Sequence, residues 1–449
     1  MKKRKFLVGT ILVSMLCVIG FSACGKNKEE EKVSTNSSKK SEDAVAVYFT
    51  KENLFYQSAL EEYQRKNGVE LNLHVFETEE ELAKQYAAEG MTASGADIVL
   101  CGKNSSLNIE KLALEDTCLD LTSYLEQDKQ YREENYCRAV LDAGKLNEKQ
   151  YILPITYDLG FVVMRKEVDD LCENILTSQS TCYDFYKNLL ACQEILYNSE
   201  EIRLGLCFPS NSTEELLLYV YYISGLDLTD GSEVVADAEK VQAICDFIQA
   251  GQKEFQDKLD EMKNAGQKSA LLTGYQLLYG NPAAIVRQQE YAYEALFETT
   301  IDYFMVPSEL SGEFHATVRD FGFISTKSNH KEQAYQVLRY LMDYDFYKLG
   351  IVYEEGVPVN QNNFESQFQE LCGMTKVTIG NKSKQVSTMS EELKKKLKEQ
   401  IEQVHSASFP CPDEEQIFVE SMTDYVNGVA SFESCFQQMC NRLSIYLKE

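Results

Sequence analysis

A chain of 449 residues with 4 His, 14 Cys and 71 acidic side chains offers few ways to assemble a reaction centre. His74, His315, His330 and His405 stand far apart, and none is spaced from an acid as in a metal-ligating His-Glu-x-x-His pattern. The cysteines include no Cys-x-x-Cys pair and no zinc-like grouping, so neither a metal nor a cofactor is expected. Gly102-Lys103 is not a phosphate loop, because the glycine required five positions before Gly102 is Asp97. A Cys-His nucleophile has no local signature here, and against so many acids no pair stands out as a glycosidase dyad. No catalytic residue is assigned, and the chain is not expected to be an enzyme.

Binding chemistry is left, and charge narrows it. With 44 Lys and Arg against those acids the formal net charge is -27, which argues against nucleic acid because phosphate contacts need clustered cations. A free anion would be repelled on approach. The aromatic supply is 27 Tyr and 22 Phe with no Trp.

The elements that must position a binding site begin after an export segment. Lys2, Lys3, Arg4 and Lys5 precede an uncharged apolar run, Phe6 to Ala23, which reads as a signal peptide over residues 1–23. Its end, Phe21-Ser22-Ala23-Cys24-Gly25, resembles the lipobox of bacterial lipoproteins, which implies acylation (palmitate) at Cys24 and a lipid-anchored protein on the extracytoplasmic face of the cell membrane. The other reading is an uncleaved anchor with a buried Cys24. Losing residues 1–23, with four cations and no acid, takes the charge from -27 to -31. Residues 24–43 hold one aliphatic side chain, Val33, among many Lys, Glu and Ser, and form a flexible tether. The twelve later cysteines are read as small buried hydrophobes in preference to a disulfide framework.

From Ala44 the pattern alternates. Ala44 to Phe49 is β-rich, Thr50 can cap a helix carrying Phe55, Ala59 and Tyr63, and Asn67-Gly68 stops it. Val69, Leu71, Leu73 and Val75 alternate at period two. Thr78 and Glu81 make a capping box for the next helix, and Ala96 to Cys101 is a third strand. This βαβαβ order predicts an α/β fold with a mostly parallel sheet flanked by helices. Ligands of such sheets lie outside the carboxyl ends of the strands. Those ends carry Thr50, Glu52 and Asn53, then Gly102, Lys103, Asn104 and Ser105.

Four segments in order, Gly95-Ala96-Asp97-Ile98-Val99, Leu119 to Leu125 (LDLTSYL), Gln150-Tyr151-Ile152-Leu153-Pro154 and Gly160 to Lys166, resemble the extracellular solute-binding proteins of ABC importers, in the maltose-binding-like group. Ser224 to Leu228, Gly280 to Val286, Phe321 to Ser325 and the closing Leu443 to Glu449 extend the likeness over nearly the whole mature chain. The resemblance implies a two-lobed periplasmic-binding-protein-like fold of type II with three interlobe crossings, which Pro154, Pro307 and Pro358 would mark. The expected division is 44–154 plus 308–352 for one lobe and 155–307 plus 353–449 for the other. It also implies a monomer that captures a small solute, most readily a sugar or oligosaccharide, for the transmembrane subunits of an ABC permease. With no Trp, Tyr must supply the flat faces. Carried over by position, Tyr157 and Asp158 would stack and accept hydroxyls. Arg287, after an expected strand Ala283 to Val286, would donate a bidentate pair. Phe208, Ser210 and Asn211, and Tyr353, Glu354 and Glu355, complete the candidates. Tyr219, Tyr221 and Tyr222 read as lobe core, and Glu391 to Gln403 as a helix with one buried stripe and a solvated face. A polyamine or other cationic solute in the same fold, or a surface enzyme acting on glycans, are the alternatives.

Overall fold

The computed structural model describes residues 44–89, 95–166, 184–185, 188, 191, 204–207, 212–229, 233–264, 273–297, 300–308, 313–349, 356–379 and 382–448. Its strands in chain order are β1 (Val45–Thr50), β2 (Leu71–Phe76), β3 (Ile98–Cys101), β4 (Lys145–Leu146), β5 (Lys149–Gln150), β6 (Ile152–Arg165) and β7 (Leu204–Cys207). They continue with β8 (Thr273–Gly280), β9 (Ile301–Met305), β10 (Phe314–Ile324), β11 (Val357–Pro358), β12 (Lys376–Ile379), β13 (Lys382–Gln385) and β14 (Val404–Ser408). The described chain falls into two compact units: a first unit of residues 44–157 and 318–367, and a second of residues 158–317 and 368–448. The chain passes from one to the other within β6, within β10 and within the helix Gln361–Gly373. The division implied by the resemblance puts these boundaries at 154, 307 and 352 instead. Pro154 and Pro358 lie inside the first unit, the latter paired with Thr156, and Pro307 lies inside the second.

In the first unit β1 is flanked by parallel β2 and β3, and the end of β10 runs antiparallel to β3. Five of the six β1 residues are buried, as expected of a strand covered on both faces. The helix Phe55–Asn67 buries Tyr56, Ala59, Leu60 and Tyr63 on one stripe and stops at Gly68, whose φ of 67° suits a residue without Cβ. β2 uses only half of its period-two pattern: Leu71 is buried and Val75 is exposed. The capping box appears as expected, with Glu81 N–H donating to Thr78 Oγ1 at 3.2 Å. Thr50 does not serve as the expected helix cap. It makes no cap bond, and its hydroxyl is used elsewhere. Asp97 of the GxDIV segment is structural: its carboxylate accepts from Ala46 N at 2.8 Å and from Ser328 Oγ at 2.5 Å, tying the segment before β3 to β1.

In the second unit β8 pairs with parallel β7 and antiparallel β6, β9 pairs with β6, and β14 runs parallel to the start of β10. The core draws on Val162 and Met164 of β6 and on four helices, Thr213–Ser224, Ala238–Asn264, Pro412–Val426 and Phe432–Tyr446, through residues such as Leu217, Phe247, Phe418 and Met439. Gly160 lets the first of these helices approach: a Cβ there would lie 2.5 Å from Ile223 Cγ2. The expected strand Ala283 to Val286 is instead the first turn of a helix, Pro282–Phe297. Asn281 caps it, its Oδ1 accepting from Ala283 N at 3.1 Å, and proline at the first position has no N–H to lose.

The helix Glu391–Ile401 buries Leu393, Leu397 and Ile401 and is capped by Ser390, as its stripe predicts. β4 and β5, and β12 and β13, form small antiparallel pairs. Among the described residues no helix is long and apolar enough to cross a membrane. The cysteines whose state is described (Cys101, Cys118, Cys137, Cys245, Cys372, Cys411, Cys435 and Cys440) are free thiols.

Candidate functional site

At the carboxyl ends of β1 and β3 the first unit gathers a buried polar cluster. Thr50 ends β1, and its hydroxyl donates to Glu79 Oε1 at 3.1 Å. Gly102, just past β3, donates its N–H to the same oxygen at 3.3 Å. Asn53 lies in the short 3-10 turn after β1, against Gly102: a Cβ on that glycine would come within 2.8 Å of Asn53 Nδ2. Glycine is needed because the amide and backbone approach this closely. Asp320, on β10, accepts from the Thr156 hydroxyl and pairs with Arg319 at 3.7 Å. Gly356, with φ 76°, packs on Thr156, where a Cβ would meet Oγ1 at 2.7 Å. At the open margin, exposed Asn104 donates to Glu52 Oε2 at 2.9 Å.

Burial pushes the Glu79 carboxyl up to about 7, against the bonds from Thr50 and Gly102, with Glu52 and Asp320 adding to the rise. Two atoms of the cluster, Asn53 Nδ2 and Glu79 Oε2, are buried and have no hydrogen-bond partner among the described residues. One is a donor and the other belongs to a carboxyl group. Sequence reasoning placed Thr50, Asn53 and Asn104 here but missed Glu79, Thr156 and Asp320. Glu79 looked like an ordinary first-turn acid of the helix Glu79–Glu89, and only its position after β2 could have marked it.

The second unit offers a different surface. Tyr222 and Tyr279 stack with centroids 5.7 Å apart and an interplanar angle of 16°, and Tyr219 meets Tyr279 edge-on at 5.5 Å. All three rings are half-buried. The Tyr222 hydroxyl donates to Glu415 Oε2 at 2.7 Å, and burial pushes that carboxyl up to about 7. Tyr279 is the penultimate residue of β8, which ends at Gly280. Tyr219 and Tyr221 pack on the core as expected. Nearby His315 shares its ring nitrogens with Ser406 Oγ and Ser408 Oγ, each at 2.9 Å, and burial lowers its pKa to about 4.

Tyr157 is only 3% exposed, with its hydroxyl bonded to the Cys137 thiol, so its ring has no open face in its own unit. Asp158 is buried in β6, one residue before the pairing of Leu159 with Gly280. Arg287 is buried on the helix Pro282–Phe297, its guanidinium donating to Met374 O at 2.6 Å and to Ser387 O, and ion-paired with Glu290. That helical setting replaces the loop on which a bidentate ligand contact was expected. Phe208, Ser210, Asn211, Tyr353, Glu354 and Glu355 lie outside the described residues. Among the described residues no group of three or more His, Cys, Asp or Glu is placed to hold a metal ion.

No protein-family model matches the chain, and no curated protein does. Solved structures do. An extracellular solute-binding protein of family 1 from Alicyclobacillus acidocaldarius aligns with a TM-score of 0.58 at 13% identity, covering 91% of this chain and 100% of its own. The sugar-binding protein MalE from Xanthomonas citri gives 0.58 at 14%, covering 90% and 97%. The cyclic alpha-maltosyl-1,6-maltose binding protein from Arthrobacter globiformis gives 0.56 at 13%, covering 90% and 99%. The fold is thus that of the two-lobed extracellular solute-binding proteins, as the order of the sequence motifs implied. Within that class, the structures spanning this chain include maltose-binding-like, sugar-binding proteins.

Proposed function

We propose that the protein is a lipid-anchored extracytoplasmic solute-binding protein that captures a neutral sugar or oligosaccharide and passes it to an ABC permease, with Cys24 as the acylated residue. The observation that carries this reading is the buried pair Asn53 Nδ2 and Glu79 Oε2, both without a partner among the described residues, at the carboxyl ends of β1 and β3. A sugar hydroxyl is donor and acceptor at once and can satisfy both. Thr50 bonds to Glu79, and exposed Asn104 stands at the margin. In the second unit Tyr222 and Tyr279 offer flat faces in a chain without Trp, and the relatives named above as sugar-binding supply the same reading. A cationic solute is the second reading, since Glu79 lies near the acids Glu52 and Asp320. Tyr157, Asp158 and Arg287, each buried in its own unit, are not assigned a ligand contact in this reading.

Thermal shift of the processed protein with panels of sugars, polyamines and amino acids tests this. A sugar at a hundredfold excess over its Kd should stabilise by about 2.7 kcal/mol. Stabilisation by polyamines alone would move the reading to a cationic solute, and turnover of a glycan without any shift would move it to an enzyme.

A further inference from the structure

A separate cleft of about 1050 Å³ lies on the helical side of the first unit, walled by the helices Phe55–Asn67, Thr122–Gln127 and Lys331–Asp343. None of its lining residues belongs to the cluster at the ends of β1 and β3. Four tyrosines line it as two pairs, Tyr63 with Tyr340 at 4.9 Å and Tyr124 with Tyr335 at 5.4 Å between centroids. Its charges cancel: Lys66, Lys129 and Arg339 stand against Asp128, Glu332 and Asp343, in a chain whose net charge is -27.

The walls are held before any ligand arrives. Arg339 is buried over the rings of Tyr131 and Tyr136, 5.4 Å from each centroid, and is ion-paired with Asp343 and, at 3.5 Å, with Asp128. The Tyr335 hydroxyl donates to Asp128 Oδ2 at 3.0 Å, and that of Tyr136 to Asp343 Oδ1 at 2.6 Å. The Tyr340 hydroxyl, in contrast, is enclosed and has no hydrogen-bond partner among the described residues.

We propose that this cleft is a second carbohydrate site, taking a neutral oligosaccharide independently of the site at β1 and β3. Its volume is that of a small-molecule site. Tyrosine rings present flat faces to the apolar side of a sugar ring, and fixed donors and acceptors of both signs suit hydroxyls around its rim. The balanced lining favours an uncharged occupant over an ionic one, because no net charge is left to pair with an ion.

The test is hydrogen exchange on the full processed protein with maltotriose, cellotriose and xylotriose, each up to about 10 mM, ten times the Kd of a weak millimolar site. At least one sugar should slow exchange in residues 122–130 and 331–343. Tyr124→Ala should weaken that protection at least tenfold, Tyr124→Phe should keep it, and Gln127→Trp, on the exposed rim, should block it. Absence of protection with all three sugars in the unmodified protein would overturn the proposal, and so would protection undiminished in Gln127→Trp. Residues 50–53 and 79–82, read in the same spectra, report the other site. Loss of signal there alone counts against the proposed function and leaves this cleft standing.

Discussion

The carboxyl ends of β1 and β3 in the first unit and the tyrosine cluster of the second solve opposite problems. In the first, Thr50, Asn53 and Glu79 are buried side chains whose positions depend on a glycine at 102 and on short hydrogen-bonded contacts. In the second, Tyr219, Tyr222 and Tyr279 are partly exposed and are held by ring contacts and by hydroxyl bonds such as those from Tyr222 to Glu415 and from Tyr219 to Tyr279 O. Hydrogen-bonding groups select through geometry and gain strength when water is excluded. Ring faces select through shape and apolar area, and they work while still partly solvated. A sugar ring has polar edges of the kind the first sort of group recognises and an apolar face of the kind the second sort recognises.

The largest effect that would break this contrast is expected at the first set. Glu79→Ala or Asn53→Ala should weaken sugar affinity by about 2 to 3 kcal/mol, the scale of a lost bond to a buried polar group, as read by calorimetry; unchanged affinity in both would remove the first unit's cluster from the site. Next, Tyr279→Ala should cost about 1 kcal/mol of affinity, within the range for an aromatic contact, whereas Tyr279→Phe should cost none. Equal losses in the two variants would mean that hydroxyl bonding rather than ring area matters there.

The third expectation concerns pH and stability without ligand. Burial raises Glu79 and Glu415 to about 7 in the folded protein, above an ordinary value of 4.5. The folded state therefore holds more protons than the unfolded state between those values, so stability is present at low pH and is lost as pH rises through about 7. Denaturant melts should show this decline, and Glu79→Gln and Glu415→Gln should each flatten it; a slope unchanged in both would mean that other groups set it. The smallest effect belongs to a control outside both regions. Lys395 and Glu399 form an exposed pair 3.7 Å apart on the helix Glu391–Ile401, and Lys395→Ala should change stability by less than about 0.5 kcal/mol.

Much of the fold was legible from local pattern. The parallel β2-β1-β3 arrangement follows from Val47, Phe49 and Ile98 in short apolar runs separated by a helix with a four-residue stripe and a Gly68 stop. The helix at Glu391 follows from Leu393, Leu397 and Ile401. The misreading at Ala283 to Val286 shows the limit of that pattern: four short apolar residues fit a strand or a buried helix equally, and Asn281-Pro282 was the deciding signal. Of the site, the residues at strand ends could be named in advance because topology puts ligands there. Glu79, Thr156 and Asp320 could not, since they reach the same place from three distant parts of the chain.

The sequence by itself determined the acid excess and the alternation of strands and helices, because each is a property of composition or of short-range spacing. Only the tertiary structure decided that Thr50 serves Glu79 instead of a helix cap, that Tyr157 and Arg287 are enclosed, and that Tyr222 faces Tyr279. Those outcomes depend on which side chains compete for the same buried space, and that competition is settled by packing between segments far apart in the chain.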